Sequence, residues 1–255
     1  MVLEICTDSV ESAIAAECGG AQRVELCSNL LEGGVTPSVG ITATVRDRIG
    51  IDLFVMIRPR GGDFCYTDFE FEVMQRDIQQ AHEVGVDGVV LGILDQQARI
   101  DVARTRQLVE LANPLPVTFH RAIDMTPDPR LALEDVIAAG AKRVLTSGAA
   151  PRATEGLAMV AMLVQTGRGR IGVIAGGGIT PETIAHVAQT TGVTEFHASL
   201  RTAYPSPVAF HRPDVQMGET RDREYLRYVV EERNVCGLRS ALDRVAAERE
   251  GEQAK

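Results

Sequence analysis

Seven residues of this chain are of types that do chemistry and recur at spacings that bring them together: Glu4, Cys6, Glu25, Cys27, Arg58, His120 and His197. Glu4 and Cys6 stand two apart, as do Glu25 and Cys27, and in an extended strand that spacing puts both side chains on one face. Phe54, Met56 and Arg58 share a face by the same rule, as do Thr118 with His120, and Glu195 with His197, Ser199 and Arg201. The opposite faces of the first two strands carry Leu3, Ile5, Val24 and Leu26, which belong under helices, so the polar set turns inward. Histidine, carboxylates and arginine gathered in one interior suit general acid–base work on an anionic substrate. His120 would act as acid or base with Asp124 or Glu25 setting its charge, and Arg58, Arg60 or Arg121 would hold the anion. The competing account is an ion-paired filling of the interior, because buried charges without partners cost several kcal/mol each. For Arg60, Arg121 and Asp124 it is a place on the surface.

A second set is built for an anion. The stretch LTSG supplies Ser147 and Gly148, AGGGI supplies Gly176, Gly177 and Gly178, and HASLR supplies Ser199. Consecutive glycines let backbone N–H groups approach a phosphate or carboxylate, and Thr180, Pro181 and Glu182 then open a helix whose N-terminus favours negative charge. A tight turn needing one left-handed residue is the plainer alternative.

The elements that must position these residues alternate along the chain. Strands are predicted at Leu3–Thr7, Arg23–Ser28, Leu53–Arg58, Gly88–Leu94, Val117–Asp124, Arg143–Gly148, Arg170–Gly176 and Glu195–Leu200. Helical stretches lie between them, among them Ser12–Cys18, Phe71–Val84, Val102–Ala112, Leu131–Ala139, Leu157–Gln165 and Pro181–Thr190. A fragment reading helix, glycine, strand recurs at ECGGAQRVEL, EVGVDGVVL, AAGAKRVL and TTGVTEFHA. Eight βα units in 255 residues predict an α/β fold, a (β/α)₈ TIM barrel over residues 1–201. An open doubly wound sheet would carry its glycines at the first βα turn, whereas here they follow strand seven. Residues 202–255 are predicted as a C-terminal extension packed on the barrel, an irregular loop and then a helical segment, Arg221–Ala247, broken near Gly237.

Composition removes several classes of function. A formal charge of -9 and a pI near 5.1 offer no cationic field to a nucleic-acid backbone, and aromatic residues at 4% with no Trp provide no stacking platform for bases. The opening MVLEICTDS lacks a signal peptide's basic start and apolar run, and no apolar stretch approaches the ~18 residues that span a bilayer, so no membrane association and a cytoplasmic location are expected. Five scattered cysteines without a CxxC pair signal neither a disulfide framework nor a zinc knuckle and read as reduced thiols.

The segments ICTDSVESA, VELCSNLLEGGVTPS, VMIRPRGGDF, PLPVTFHRAID, RVLTSG, AGGGIT and TEFHASLR, in order across residues 3–201, closely resemble the CutC family. The resemblance implies a barrel, a cytoplasmic location and a role in copper homeostasis, with Cu(I) bound by some members. Cu(I) prefers thiolate and thioether ligands. Cys6 and Cys27 correspond to the family's motif cysteines, so the metal would fall to them, perhaps joined by Met56; free cysteines also serve as small buried hydrophobes. Two functions therefore stand side by side: a Cu(I)-binding copper-tolerance protein, and a barrel enzyme of isomerase, aldolase or lyase type acting on a small phosphorylated or anionic substrate. A homodimer is compatible with either.

Overall fold

The computed structural model describes residues 1–212, 214–218 and 223–253. Eight parallel strands close into a barrel in sequence order: β1 (Val2–Thr7), β2 (Arg23–Leu26), β3 (Asp52–Met56), β4 (Gly88–Leu91), β5 (Val117–Phe119), β6 (Arg143–Thr146), β7 (Gly172–Gly176) and β8 (Glu195–Ala198). The register running from Cys6 to Glu25, Glu25 to Phe54 and Phe54 to Gly88, and closing from Gly176 to His197 and from His197 to Glu4, turns one parity of every strand inward. The other parity meets the helices α1 (Val10–Cys18), α2 (Val39–Arg46), α3 (Asp68–Val84), α4 (Val102–Ala112), α5 (Pro129–Ala139), α6 (Leu157–Gly167) and α7 (Ile184–Thr191) in one continuous apolar layer. The recurring helix–glycine–strand fragment is a C-cap: Gly85 and Gly140 take the left-handed conformation that ends α3 and α5 and sends the chain back into the sheet.

Several strands stop short of their predicted ends. β5 ends at Phe119 because the His120 ring accepts a hydrogen bond from the Ala122 N–H at 3.2 Å and caps a short 3₁₀ turn over Arg121–Met125. β8 ends at Ala198, where Leu200 turns left-handed at φ 49° and the chain enters β9 (Arg201–Pro205).

The segment after residue 201 is the main departure from the sequence expectation. In place of an irregular loop, β9 pairs antiparallel with β10 (Leu226–Val230), a strand where a helical segment from Arg221 was expected; Arg221 and Asp222 themselves lie outside the described residues. Helix α8 (Glu232–Gln253) then runs unbroken through Gly237, whose neighbourhood is open, so nothing there forces a kink. α8 lies between α7 and α1 and completes the ring of eight helices, with Val235, Leu238, Leu242 and Val245 buried in the main core. The hairpin is thus an insertion between the eighth strand and the eighth helix. Its last residue is held by the Ser12 Oγ, which accepts from the Val230 N–H at 3.1 Å. Among the described residues no helix is long and apolar enough to cross a membrane.

Leu238 is fully buried in α8. Leu238→Ala is expected to destabilise the whole barrel by about 2–5 kcal/mol in urea unfolding, whereas a true appendage would give a change near zero.

Candidate functional site

The barrel interior is not the usual stack of aliphatic layers. Its apolar part is a small cluster of Cys6, Cys27, Phe54, Met56 and Val90, separate from the main core. Below it lies a floor of charge. Glu4 is buried between Arg23, whose Nε donates to Oε2, and His197, whose Nδ1 sits 2.6 Å from Oε1. Arg23 reaches on to Glu195 at 2.6 Å, and the Phe54 ring lies between the Arg23 and Arg143 guanidinium groups, with centroid distances of 5.0 and 4.6 Å. Gly88 makes room for that ring: a Cβ there would stand 2.4 Å from it.

Above the floor, at the carboxyl end of the strands, sit the thiols. The Cys6 and Cys27 sulfurs are 3.8 Å apart, and Cys27 Sγ lies 3.3 Å from Glu25 Oε1. Glu25 Oε2 is buried with no hydrogen-bond partner, 3.4 Å from His197 Nδ1. The ligand atoms of Cys6, Glu25 and Cys27 form one potential metal-holding group and those of Glu4, Glu25 and His197 another, each set within 4.8 Å. Both thiols are buried, but Cys6 faces the open mouth while Cys27 lies behind it, packed against Gly34.

These contacts divide the protons unevenly. Burial opposes the Glu4 charge, but the His197 hydrogen bond and Arg23 outweigh it and bring its pKa to about 2. Burial dominates at Glu25 and, despite His197, pushes it up to about 8. The neighbouring Cys27 thiol, against burial and with help from His197, lowers Cys6 to about 6. The same pairing and burial push Cys27 well up. His197 resists burial and stays protonated beside Glu25, Cys6 and Glu4. At neutral pH these shifts favour a Glu4 carboxylate and a Cys6 thiolate beside a protonated His197.

The mouth above is a cavity of about 650 Å³ whose walls include Cys6, Glu25, Met56, Arg58, His120, His197 and Arg201. Of the predicted catalytic set, Glu25, Arg58, His120 and His197 line it and Glu4 lies beneath. Arg58 is buried on three backbone carbonyls, those of Glu32, Gly34 and Gly62 at 2.7 to 2.9 Å. No hydrogen bond joins His120 to Asp124 or to Glu25, the two carboxylates expected to set its charge. Asp124 instead accepts from Arg121, Thr146, Ser147 and Ala149 and ties the β5 and β6 loops together. Burial and the nearby Arg58 charge drive His120 down to about 3, so it is a neutral imidazole.

The predicted anion residues split into two groups. Gly177, Gly178 and Ser199 line the cavity, whereas Ser147, Gly148 and Gly176 lie behind its wall. Ser147 is engaged by Arg121, Asp124 and the Ala150 carbonyl, Gly148 is pressed against Gly156, and Gly176 makes space for Leu145 and His197. Arg60 is paired with Asp63 and Glu70, away from the mouth. Arg23 and Arg143 are the residues that the sequence reading passed over. Arg23 stands two before Glu25, and Arg143 two before Leu145, so the same alternation carried the signal.

A family model described as the CutC family matches residues 1–202. A CutC family protein of Chromobacterium violaceum is 50% identical over 243 residues, covering 95% of this chain and 98% of its own. A mouse protein named copper homeostasis protein cutC homolog is 50% identical over 217 residues, 85% of this chain and 80% of its own. The crystal structure of a Streptococcus agalactiae protein named for CutC copper homeostasis superposes with a TM-score of 0.74 at 35% identity, covering 77% of this chain and 97% of that one.

The depressed Glu4 pKa fixes a pH dependence. A carboxyl that falls from 4.5 unfolded to about 2 folded stabilises the protein fully above pH 4.5, and that contribution, about 3 kcal/mol, is lost as pH falls through 2. Glu4→Gln is expected to flatten the stability profile over this window in urea titrations at successive pH values, and an unchanged slope would assign the acid limb elsewhere.

Proposed function

This chain belongs to the CutC family, and on that premise we propose that it binds Cu(I) as cargo at the Cys6–Cys27 pair and serves copper homeostasis. The observation that carries the reading is the pair itself: two buried sulfurs 3.8 Å apart, one of them facing an open mouth with its pKa lowered to about 6 by its partner thiol. Soft d¹⁰ ions favour thiolates, and the adjoining Met56 thioether is a further soft donor in the same cluster. Burial in an apolar cluster discourages harder, more strongly hydrated cations from staying. His197 stands on the thiolate side of the cluster, and its positive charge compensates the anion before metal arrives. A cytoplasmic setting suits this reading, since glutathione keeps such thiols reduced there. The relatives named for copper homeostasis support the assignment.

A second reading, catalysis on a small anionic substrate, is favoured by the size of the mouth. At about 650 Å³ it lies within the 300–1,000 Å³ typical of small-molecule sites and far exceeds what one ion needs. Glu25, raised to about 8 in the cavity wall, is also a carboxyl able to hold a proton at neutral pH as a general acid must.

Anaerobic Cu(I) titration of reduced protein against a competing chelator tests the first reading. Wild type is expected to take up one ion, with affinity falling more than about 100-fold in the Cys6→Ser, Cys27→Ser double variant. Weak uptake indifferent to the cysteines would defeat it.

A further inference from the structure

We infer that the barrel mouth is a binding site for a phosphate monoester bearing a carbonyl or hydroxyl oxygen, with the phosphate on the β7 and β8 loops and the far oxygen on His120. Gly177, Gly178 and Ile179 follow β7, Ser199 and Leu200 follow β8, and all five line the cavity. Among the described residues none of their backbone N–H groups finds a carbonyl or side-chain acceptor, although the next one along, that of Thr180, is taken by Thr183 Oγ1 at 2.9 Å. Backbone donors without an internal partner are left for water or a ligand. Gly177, Gly178 and Leu200 all take left-handed conformations, the kind of turn that gathers successive N–H groups around an anion.

Arg201 adds charge at the same rim. Its Nε is buried without a partner, and its ion-pair partner, Asp8, is a loose one at 3.6 Å. Five N–H groups and a guanidinium match the three oxygens of a phosphate; the two oxygens of a carboxylate would leave several donors unused. Loops after strands seven and eight are where barrels commonly hold phosphate.

The second anchor is independent of the loops. His120 is buried in the cavity wall, its Nδ1 accepts from the Ala122 N–H, and its proton therefore sits on Nε2, which has no partner. A Cβ at Gly92 would strike the Nδ1 side of the ring, so the backbone of that residue fixes the ring's orientation. A neutral N–H donor kept uncharged by burial and by Arg58 suits a carbonyl or hydroxyl oxygen rather than a second anion. As a substrate this ligand rests on the second reading above; its binding requires neither turnover nor copper.

The test is calorimetric titration of metal-free, reduced protein with inorganic phosphate and with dihydroxyacetone phosphate. Both are expected to bind saturably one to one, the keto phosphate about tenfold tighter. Ser199→Glu, at an exposed position, should abolish both by placing a carboxylate among the donors, and Arg201→Gln should weaken both about tenfold. His120→Ala should reduce the keto phosphate to the affinity of inorganic phosphate and leave the latter unchanged. Unaltered melting of the variants checks that the fold persists. Absence of saturable phosphate binding, or binding indifferent to both Ser199→Glu and Arg201→Gln, overturns the site; equal wild-type affinity for the two ligands overturns the place given to His120. Binding without any chemical change in the keto phosphate would exclude it as a substrate and leave the site standing.

Discussion

Everything in the barrel interior depends on the Glu4 carboxylate being held between Arg23 and His197. A buried carboxylate without partners would take a proton and become neutral, and the geometry above it would change with it. With Glu4 ionised, His197 keeps its proton, and a protonated His197 favours a Cys6 thiolate beside a Cys27 thiol. The Cys27 thiol does most to favour the Cys6 thiolate, and the bridge adds to it from below through His197, which lines the mouth. Replacing such a bridge by aliphatic residues of matching volume is often neutral or stabilising in other proteins. Its presence here is better explained by what it does to His197 and Cys6 than by stability.

The architecture separates two kinds of work. The sheet's outer face and the ring of eight helices form a continuous apolar layer that carries the stability, while the interior's apolar cluster is too small to contribute much. The interior is therefore free to be electrostatically awkward, with a carboxyl at about 8 and a thiol at about 6 within one hydrogen-bonding group. In the mouth, the soft sulfurs occupy the bottom and the hard donors of the β7 and β8 loops the rim, so a soft cation and an oxyanion would meet different walls of one cavity.

Much of this was legible in strand alternation. Two-residue spacing correctly turned Glu4, Cys6, Glu25, Met56, His120 and His197 inward, because the barrel imposes one parity on every strand. The same rule applied to Arg23 and Arg143 would have found the cations of the floor; both sit at the first residue of a strand, where a long polar side chain reads as solvent-facing. What alternation does not encode is the pairing between strands far apart in sequence. Asp124 or Glu25 was expected to set the charge of His120, yet Asp124 serves the neighbouring loop, and the charge that acts on the histidine is Arg58, which comes from two strands earlier in the chain. The β9–β10 hairpin escaped notice for a related reason: Arg201–Pro205 and Leu226–Val230 are short, only Val230 among them is buried, and their partner strand is each other rather than the barrel.

Closing the ring joins Val2–Ile5 to Glu195–Ala198, and α8 then grips the first residue, Arg239 donating to the Met1 carbonyl at 3.3 Å. During synthesis, the two cysteines leave the ribosome early, but the histidine that favours the thiolate state of one of them emerges some 190 residues behind Glu4. Contacts of such long sequence separation form late in folding. A nascent chain consequently carries Cys6 without the His197 contribution to its lowered pKa, and that contribution arrives only when the last βα unit docks.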